Sequence, residues 1–309
     1  MPSGQLSAQQ FRARVDELYA VVVFDGKKPI FAADDPVEPI YVGARAVLDR
    51  YILNAWHADA DGEYEIVHVL HDWLVCNIAY DFELYSKFQE GADDLASDPA
   101  FHIDGVFLYG RAVCDGLSRA FNFLCAIENI DSVRVTGSFG TAPHAWNKVK
   151  LQNKWYNVDV TSDAAYYTVG GKLYKQLSHG YFLLSDSTIA QFSPNGHVFA
   201  EQAFNADADA DYYAGKTVRV GKKKFSAVVK SQNELMRLFD AIDDADGAVG
   251  KIEVRLDFPD KTQINEADMY ATEIERAYAR LDSPDFVFSK SSKPYFRYPN
   301  GVYLFLMYK

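Results

Sequence analysis

Apolar residues recur at three- and four-residue steps over 43–56 and again over 63–79, the spacing of amphipathic helices. In the second stretch Ile66, Val69, Leu70 and Trp73 form the stripe, and Asn77 falls on it. A buried amide must find hydrogen bonds, so Asn77 is expected to tie down a neighbouring loop or to line a site. His68 and His71 lie toward the polar side with Asp72, and no third ligand is spaced to join them, so a solvated face is expected there rather than a metal site. Residues 114–127 predict a largely buried helix: Leu117, Phe121, Leu124 and Cys125 face one way, and Phe123 and Ile127 widen the arc. Residues 144–151 and 154–160 read as two strands joined by Gln152-Asn153, a two-residue turn whose Asn tolerates positive φ.

Farther along, the pattern predicts a helix at 231–242, a strand at 251–258, a helix at 264–281 and a hairpin over 285–308 turning at Pro299-Asn300-Gly301. Between these halves lies AFNADADADYYAG, 203–215, which reads as an extended linker because small and acidic residues offer little to bury and repel one another. It lacks the Gly and Glu positions of an EF-hand. The expected division is an N-terminal extension (1–42), a main α+β domain (43–202), the linker (203–215) and a small α/β domain (216–309).

Composition narrows the function classes. The 309 residues are 49% hydrophobic and 15% aromatic, which predicts a packed chain rather than a disordered one. A net charge of −12 disfavours nucleic acid as a partner, and Lys222-Lys223-Lys224 reads as a solvated turn. The longest apolar runs, Leu18–Phe24 and Val302–Tyr308, fall short of the about 18 residues that span a bilayer, so no membrane span is expected. Residues 1–10 lack the charged and apolar regions of a signal peptide, and the compartment stays open between cytoplasm and export. Three cysteines, with no CxxC pair, point to packing or chemistry rather than to a disulfide framework or structural zinc.

The chemistry is concentrated between Tyr109 and Asp163. Cys114 opens its helix, where unpaired N–H groups and the helix dipole favour a thiolate and are expected to lower the thiol pKa from about 8.5. Asp115 suits the same first turn, and Gly116 would let a substrate approach the backbone. Cys76 and Cys125 read as ordinary buried packing thiols. If Gln152-Asn153 is a two-residue loop, Trp146 opposes Asp159 and His144 opposes Thr161. His144, Trp146 and Asp159 then share one face, with His144 diagonal to Asp159. A carboxylate on one imidazole nitrogen fixes the tautomer and leaves the other nitrogen to exchange a proton with a thiol.

At these residues the chain resembles the transglutaminase-like superfamily, specifically its bacterial members. The matching motifs are Gly110-Arg111-Ala112-Val113-Cys114-Asp115-Gly116, His144-Ala145-Trp146-Asn147 and Trp155-Tyr156-Asn157-Val158-Asp159-Val160-Thr161, with outer motifs at 71–81 and 180–186. The resemblance covers about residues 64–190. It implies a papain-like α+β core in which a helix carrying Cys114 packs on an antiparallel sheet carrying His144 and Asp159 as base and orienting partner. It implies no metal and no organic cofactor. The Cys114 N–H is the natural oxyanion donor, with Tyr80 or Asn77 as candidates for the second, and Trp146 is a candidate wall of the substrate site.

The function expected from this is thiol-dependent acyl transfer on protein or peptide amides, hydrolytic as in a cysteine peptidase or deamidase. The alternatives are glutamine cross-linking and a non-catalytic scaffold that retains the core. The C-terminal domain is expected to serve substrate, cell-wall or protein-partner binding.

Overall fold

Helix α1, Ala8–Tyr19, begins at a reciprocal cap in which the Ser7 hydroxyl accepts from Gln10 N and the Gln10 side chain accepts from Ser7 N. It is the first element of a computed structural model that describes residues 6–55, 62–91, 95–169, 172–191, 196–200, 206–243, 252–257, 295–297 and 302–307. A π-helical turn at Ala20–Phe24 continues α1, and Val15, Leu18, Tyr19 and Val22 are buried in the main core. Helices α2 (Glu38–Ala55) and α3 (Gly62–Asn77) follow, then β1 (Ala79–Tyr80), α4 (Phe82–Gln89), α5 (Ile103–Tyr109) and β2 (Arg111–Ala112). Gly110 caps α5 with a left-handed φ of 66°, a conformation glycine adopts without steric cost, and so turns the chain into β2. Strands β1 and β2 pair in parallel.

Helix α6, Cys114–Ile127, packs against a five-stranded antiparallel sheet made of β3 (Ser132–Phe139), β4 (Ala142–Leu151), β5 (Lys154–Val158), β8 (Phe182–Leu184) and β9 (His197–Phe199), in the order β8-β5-β4-β3-β9. The β4–β5 register places Leu151 opposite Lys154, and Gln152 and Asn153 have φ of 52° and 63°, the two positive values of a type I′ turn. Strand β5 ends at Val158, two residues earlier than the sequence pattern suggests. Asp159 caps the short helix α7, Val160–Asp163, by accepting from Ser162 N, so Thr161 is helical and does not oppose His144. Strands β6 (Ala164–Val169) and β7 (Lys172–Leu177) form a separate hairpin, and α8 spans Asp186–Ala190.

Four expectations are corrected here. His68 and His71 are 2% and 0% exposed, not solvated, because α2, α6, α7 and β7 enclose α3 on several sides. The buried residues of that helix are Val67, His68, Leu70, His71, Leu74 and Val75, and Asn77 is exposed, donating to the Trp73 carbonyl at 2.9 Å. Gly116 accommodates protein rather than substrate: a Cβ there would lie 2.2 Å from the Ala100 carbonyl oxygen. The 203–215 segment, described from 206 on, is packed and not an extended spacer. Ala206, Ala208, Tyr212 and Tyr213 are buried, the Ala206 carbonyl accepts from Lys148 Nζ at 2.7 Å, and Tyr212 N donates to the Leu183 carbonyl at 3.0 Å. Its small residues allow close approach, and its acids find partners: Asp211 accepts from Ser185 N at 2.7 Å and pairs with Arg255.

The C-terminal region contains β10 (Thr217–Val220), β11 (Lys223–Ser226), β12 (Val228–Val229), α9 (Gln232–Asp243) and β13 (Ile252–Asp257), with β14 (Tyr295–Arg297) and β15 (Val302–Met307) pairing as the expected hairpin. The sheet order is β12-β13-β15-β14. The helix expected at 264–281 and the turn at 299–301 lie outside the described residues. Among the described residues no helix is long and apolar enough to cross a membrane.

Candidate active site

Cys114 is the first residue of α6, preceded by the extended Val113, whose N–H donates to the Ala100 carbonyl at 3.0 Å. That contact and the close approach at Gly116 hold the helix start against the 99–101 turn. Asp115, in the first turn, pairs with Arg119 at 3.2 Å and Arg134 at 2.8 Å. Cys114 itself is 7% exposed.

Helix and sheet are joined by buried amides. Asn147 Nδ2 on β4 donates to the Ser118 carbonyl at 2.9 Å and to Asn122 Oδ1 at 2.7 Å, both on α6, and this fixes the strand bearing His144 against the helix bearing Cys114. Trp146 is 1% exposed, and its indole N–H donates to Asn157 Oδ1 at 3.0 Å. Its ring stacks on His144 with centroids 5.9 Å apart and planes at 17°. Trp146 is therefore a core residue supporting the imidazole and not a wall presented to substrate.

His144 Nε2 lies 2.8 Å from Asp159 Oδ2, and the ring also hydrogen-bonds the Cys114 thiol. With Nε2 turned to the carboxylate, Nδ1 is the nitrogen that faces sulfur. Burial by itself would lower the His144 pKa, but Asp159 and Cys114 outweigh it and hold it at about 10. Burial works the other way on Asp159, and its contacts with His144 and His197 still keep it well below the usual carboxylate range. The structure thus brings together the three residues that the sequence pattern singles out.

It adds a fourth. His197 on β9 is 1% exposed, and its Nε2 lies 2.7 Å from the same Asp159 oxygen, so one carboxylate holds two imidazoles while Ser162 N and Oγ also donate to it. His197 carries no motif, and its place at Asp159 comes from β9 pairing with β3 across the sheet edge.

The upstream donor candidates separate. Asn77 is exposed and already bonded to Trp73, so it is not a donor candidate. The Tyr80 hydroxyl accepts from the Cys114 N–H and lies beside the thiol; burial and that neighbour raise its pKa, which keeps the phenol protonated. The Tyr80 N–H is itself donated to Tyr166 Oη at 3.1 Å, so the group Tyr80 offers to the site is the phenol. Tyr85 also lies within the electrostatic reach of Cys114, and its hydroxyl donates to the Pro143 carbonyl at 3.3 Å. The other thiols sit differently: burial pushes Cys125 up to about 12. The sulfur of Cys76, in a residue exposed as a whole, is surrounded by enough protein that this and Asp72 raise it to about 12.

Residues 51–160 match the model of the transglutaminase-like superfamily core. A 115-residue region, 33% of this chain, is 27% identical to the kyphoscoliosis peptidase of Mus musculus, of which it spans only 16%. Among solved structures, a TGase is similar at 19% identity and a TM-score of 0.38, covering 63% of this chain and 49% of that one. A candidate cysteine protease of Cytophaga hutchinsonii is similar at 14% identity and a TM-score of 0.28, covering 57% and 61%. The helix-on-antiparallel-sheet architecture is an α+β, papain-like one, and the match over residues 51–160 makes this part of the chain similar to the transglutaminase-like superfamily core and supports a thiol-enzyme framework.

Proposed function

We propose that this protein is a cysteine-dependent acyl-transfer enzyme that hydrolyses amides of proteins or peptides. The observation that carries the proposal is the continuous contact from the Cys114 thiol through His144 to Asp159 at the start of a buried helix. The Cys114 proton passes to His144 Nδ1, the sulfur attacks the amide carbonyl carbon, and the C=O π pair moves to oxygen. The Cys114 N–H and the Tyr80 phenol receive that oxyanion. Collapse expels the amine, which takes a proton from His144 Nδ1, and a thioester remains. Water, deprotonated by the same nitrogen, attacks the thioester, and the acid leaves with the thiol restored. Asp159 stays ionised throughout and holds the ring. Hydrolysis is favoured over cross-linking because water is always present, whereas excluding it requires dedicated structure.

The test is a brief iodoacetamide pulse with peptide mapping, followed by assays of the wild type and Cys114→Ala on peptide and glutamine substrates with and without a primary amine. Cys114 is expected to label ahead of Cys76 and Cys125. Product acid is expected even with amine present, and Cys114→Ala should lower turnover by roughly 10⁴-fold or more while remaining folded. Amine-linked product in excess of acid would assign cross-linking instead. A Cys114 that labels only on unfolding would favour a scaffold.

A further inference from the structure

A second group of imidazoles and carboxylates lies on the opposite end of α7 from Asp159, and the acyl-transfer reading makes no use of it. His68 and Asp72 are one helical turn apart on α3, and His179, from the loop after β7, reaches the same point. His179 Nε2 lies 2.6 Å from Asp72 Oδ1 and His68 Nδ1 lies 3.3 Å from Asp72 Oδ2. One ligand atom from each of the three residues falls within 4.8 Å of the others. The side chains of His68 and His179 are 3% and 0% exposed, and only Asp72, at 17%, opens toward solvent.

We propose that His68, Asp72 and His179 form a binding site for a divalent transition-metal cation. Two imidazole nitrogens and one carboxylate oxygen are a donor set suited to zinc and its neighbours, with the Asp72 side left for solvent. A divalent cation held there would give Asp72 a positive partner while both ligating imidazoles stay neutral. On binding, each ligating nitrogen gives up its proton, as a neutral ring protonated on the other nitrogen or by release to solvent.

The surrounding groups are those a ligating carboxylate needs. His71 Nδ1 lies 3.0 Å from Asp72 Oδ1, and His71 Nε2 lies 3.1 Å from Asp163 Oδ2. Asp163 in turn accepts from Ser178 Oγ at 2.9 Å and Tyr181 N at 3.0 Å. This chain fixes the direction of Asp72 much as outer-shell partners orient metal ligands. His144, Asp159 and His197 form a similar cluster, but both imidazoles there converge on one carboxylate oxygen, Ser162 holds the same group, and the far side of His144 belongs to Cys114.

The experiment uses the full chain, purified without a histidine tag, stripped with chelator, reloaded with Zn²⁺ or Co²⁺ and desalted. The wild type should retain about one equivalent of Zn²⁺ by elemental analysis, and Co²⁺ should give the visible absorption of a low-symmetry N/O site. His179→Ala and His68→Ala, with circular dichroism confirming the fold, should retain close to none. His197→Ala should retain as much as the wild type, and His71→Gln should bind roughly 10–100-fold more weakly. Should the His68 or His179 variants fail to fold, the Co²⁺ spectrum of His197→Ala decides: an unchanged spectrum supports the site. A wild type that retains no metal, a folded His179→Ala that retains it fully, or a His197→Ala that loses it would each overturn the proposal. None of these readouts depends on catalysis.

Discussion

Two histidine–aspartate clusters lie at the two ends of the four-residue helix Val160–Asp163, one around Asp159 and the other around Asp163 and Asp72. Both are buried and both set several imidazoles on few carboxylates, yet their surroundings give them different chemistry. At Asp159 the outer imidazole meets a thiol at a helix start, so its proton has somewhere to go. At Asp72 the imidazoles meet one another and a second carboxylate, so the proton is shared within the group. Histidine paired with aspartate is therefore not by itself a catalytic sign; what stands on the far nitrogen decides its use.

The sharpest way to break the comparison is at the carboxylate. Asp159→Asn should lower kcat/KM by roughly 10³–10⁴-fold, since an amide neither fixes the His144 tautomer nor stabilises its imidazolium. A loss below about tenfold would place Asp159 with Asp163 as a structural group. Next in size, Tyr80→Phe removes the phenol that faces the Cys114 N–H and should lower kcat by about 10²-fold with little change in KM. Asn77→Ala, at an exposed amide bonded to the Trp73 carbonyl of its own helix turn, should change neither parameter. A Tyr80→Phe enzyme with full kcat would show that the oxyanion is held without the phenol.

The smallest effect is on pH dependence. The folded pKa of His144, about 10, lies above its ordinary 6.5, so its proton favours the folded state. That contribution is complete below pH about 6.5 and is lost as pH rises through about 10. The thermal midpoint of the wild type should therefore fall relative to that of His144→Asn over this range, and kcat/KM should decline on the same alkaline limb. A constant difference between the two midpoints would mean that His144 is neutral in the folded protein.

Much of the site is legible in the chain because its determinants are local. Cys114 at a helix start follows from the apolar spacing after Gly110, and the His144–Asp159 diagonal follows from a two-residue turn that fixes strand parity. Strand β5 ends before Asp159 because the Asp159 side chain caps the next helix, a local hydrogen bond that competes with the ladder. His197 and His179 are not legible as site residues. Each arrives from far along the chain, one by pairing of a short edge strand and one by a loop closing over α3.

The sequence alone therefore determined the fold class, the helix carrying Cys114, the hairpin, and the trio of thiol, imidazole and carboxylate, because periodicity and turn chemistry act over a few residues. Only the tertiary structure decided which face of α3 is buried, that 206–215 packs on the core, that Trp146 supports His144 from within, and that His197 and His179 join their clusters. Burial depends on what covers an element from outside its own segment. An imidazole can sit in water or, given carboxylate partners, in a core, and its local spacing is the same in both.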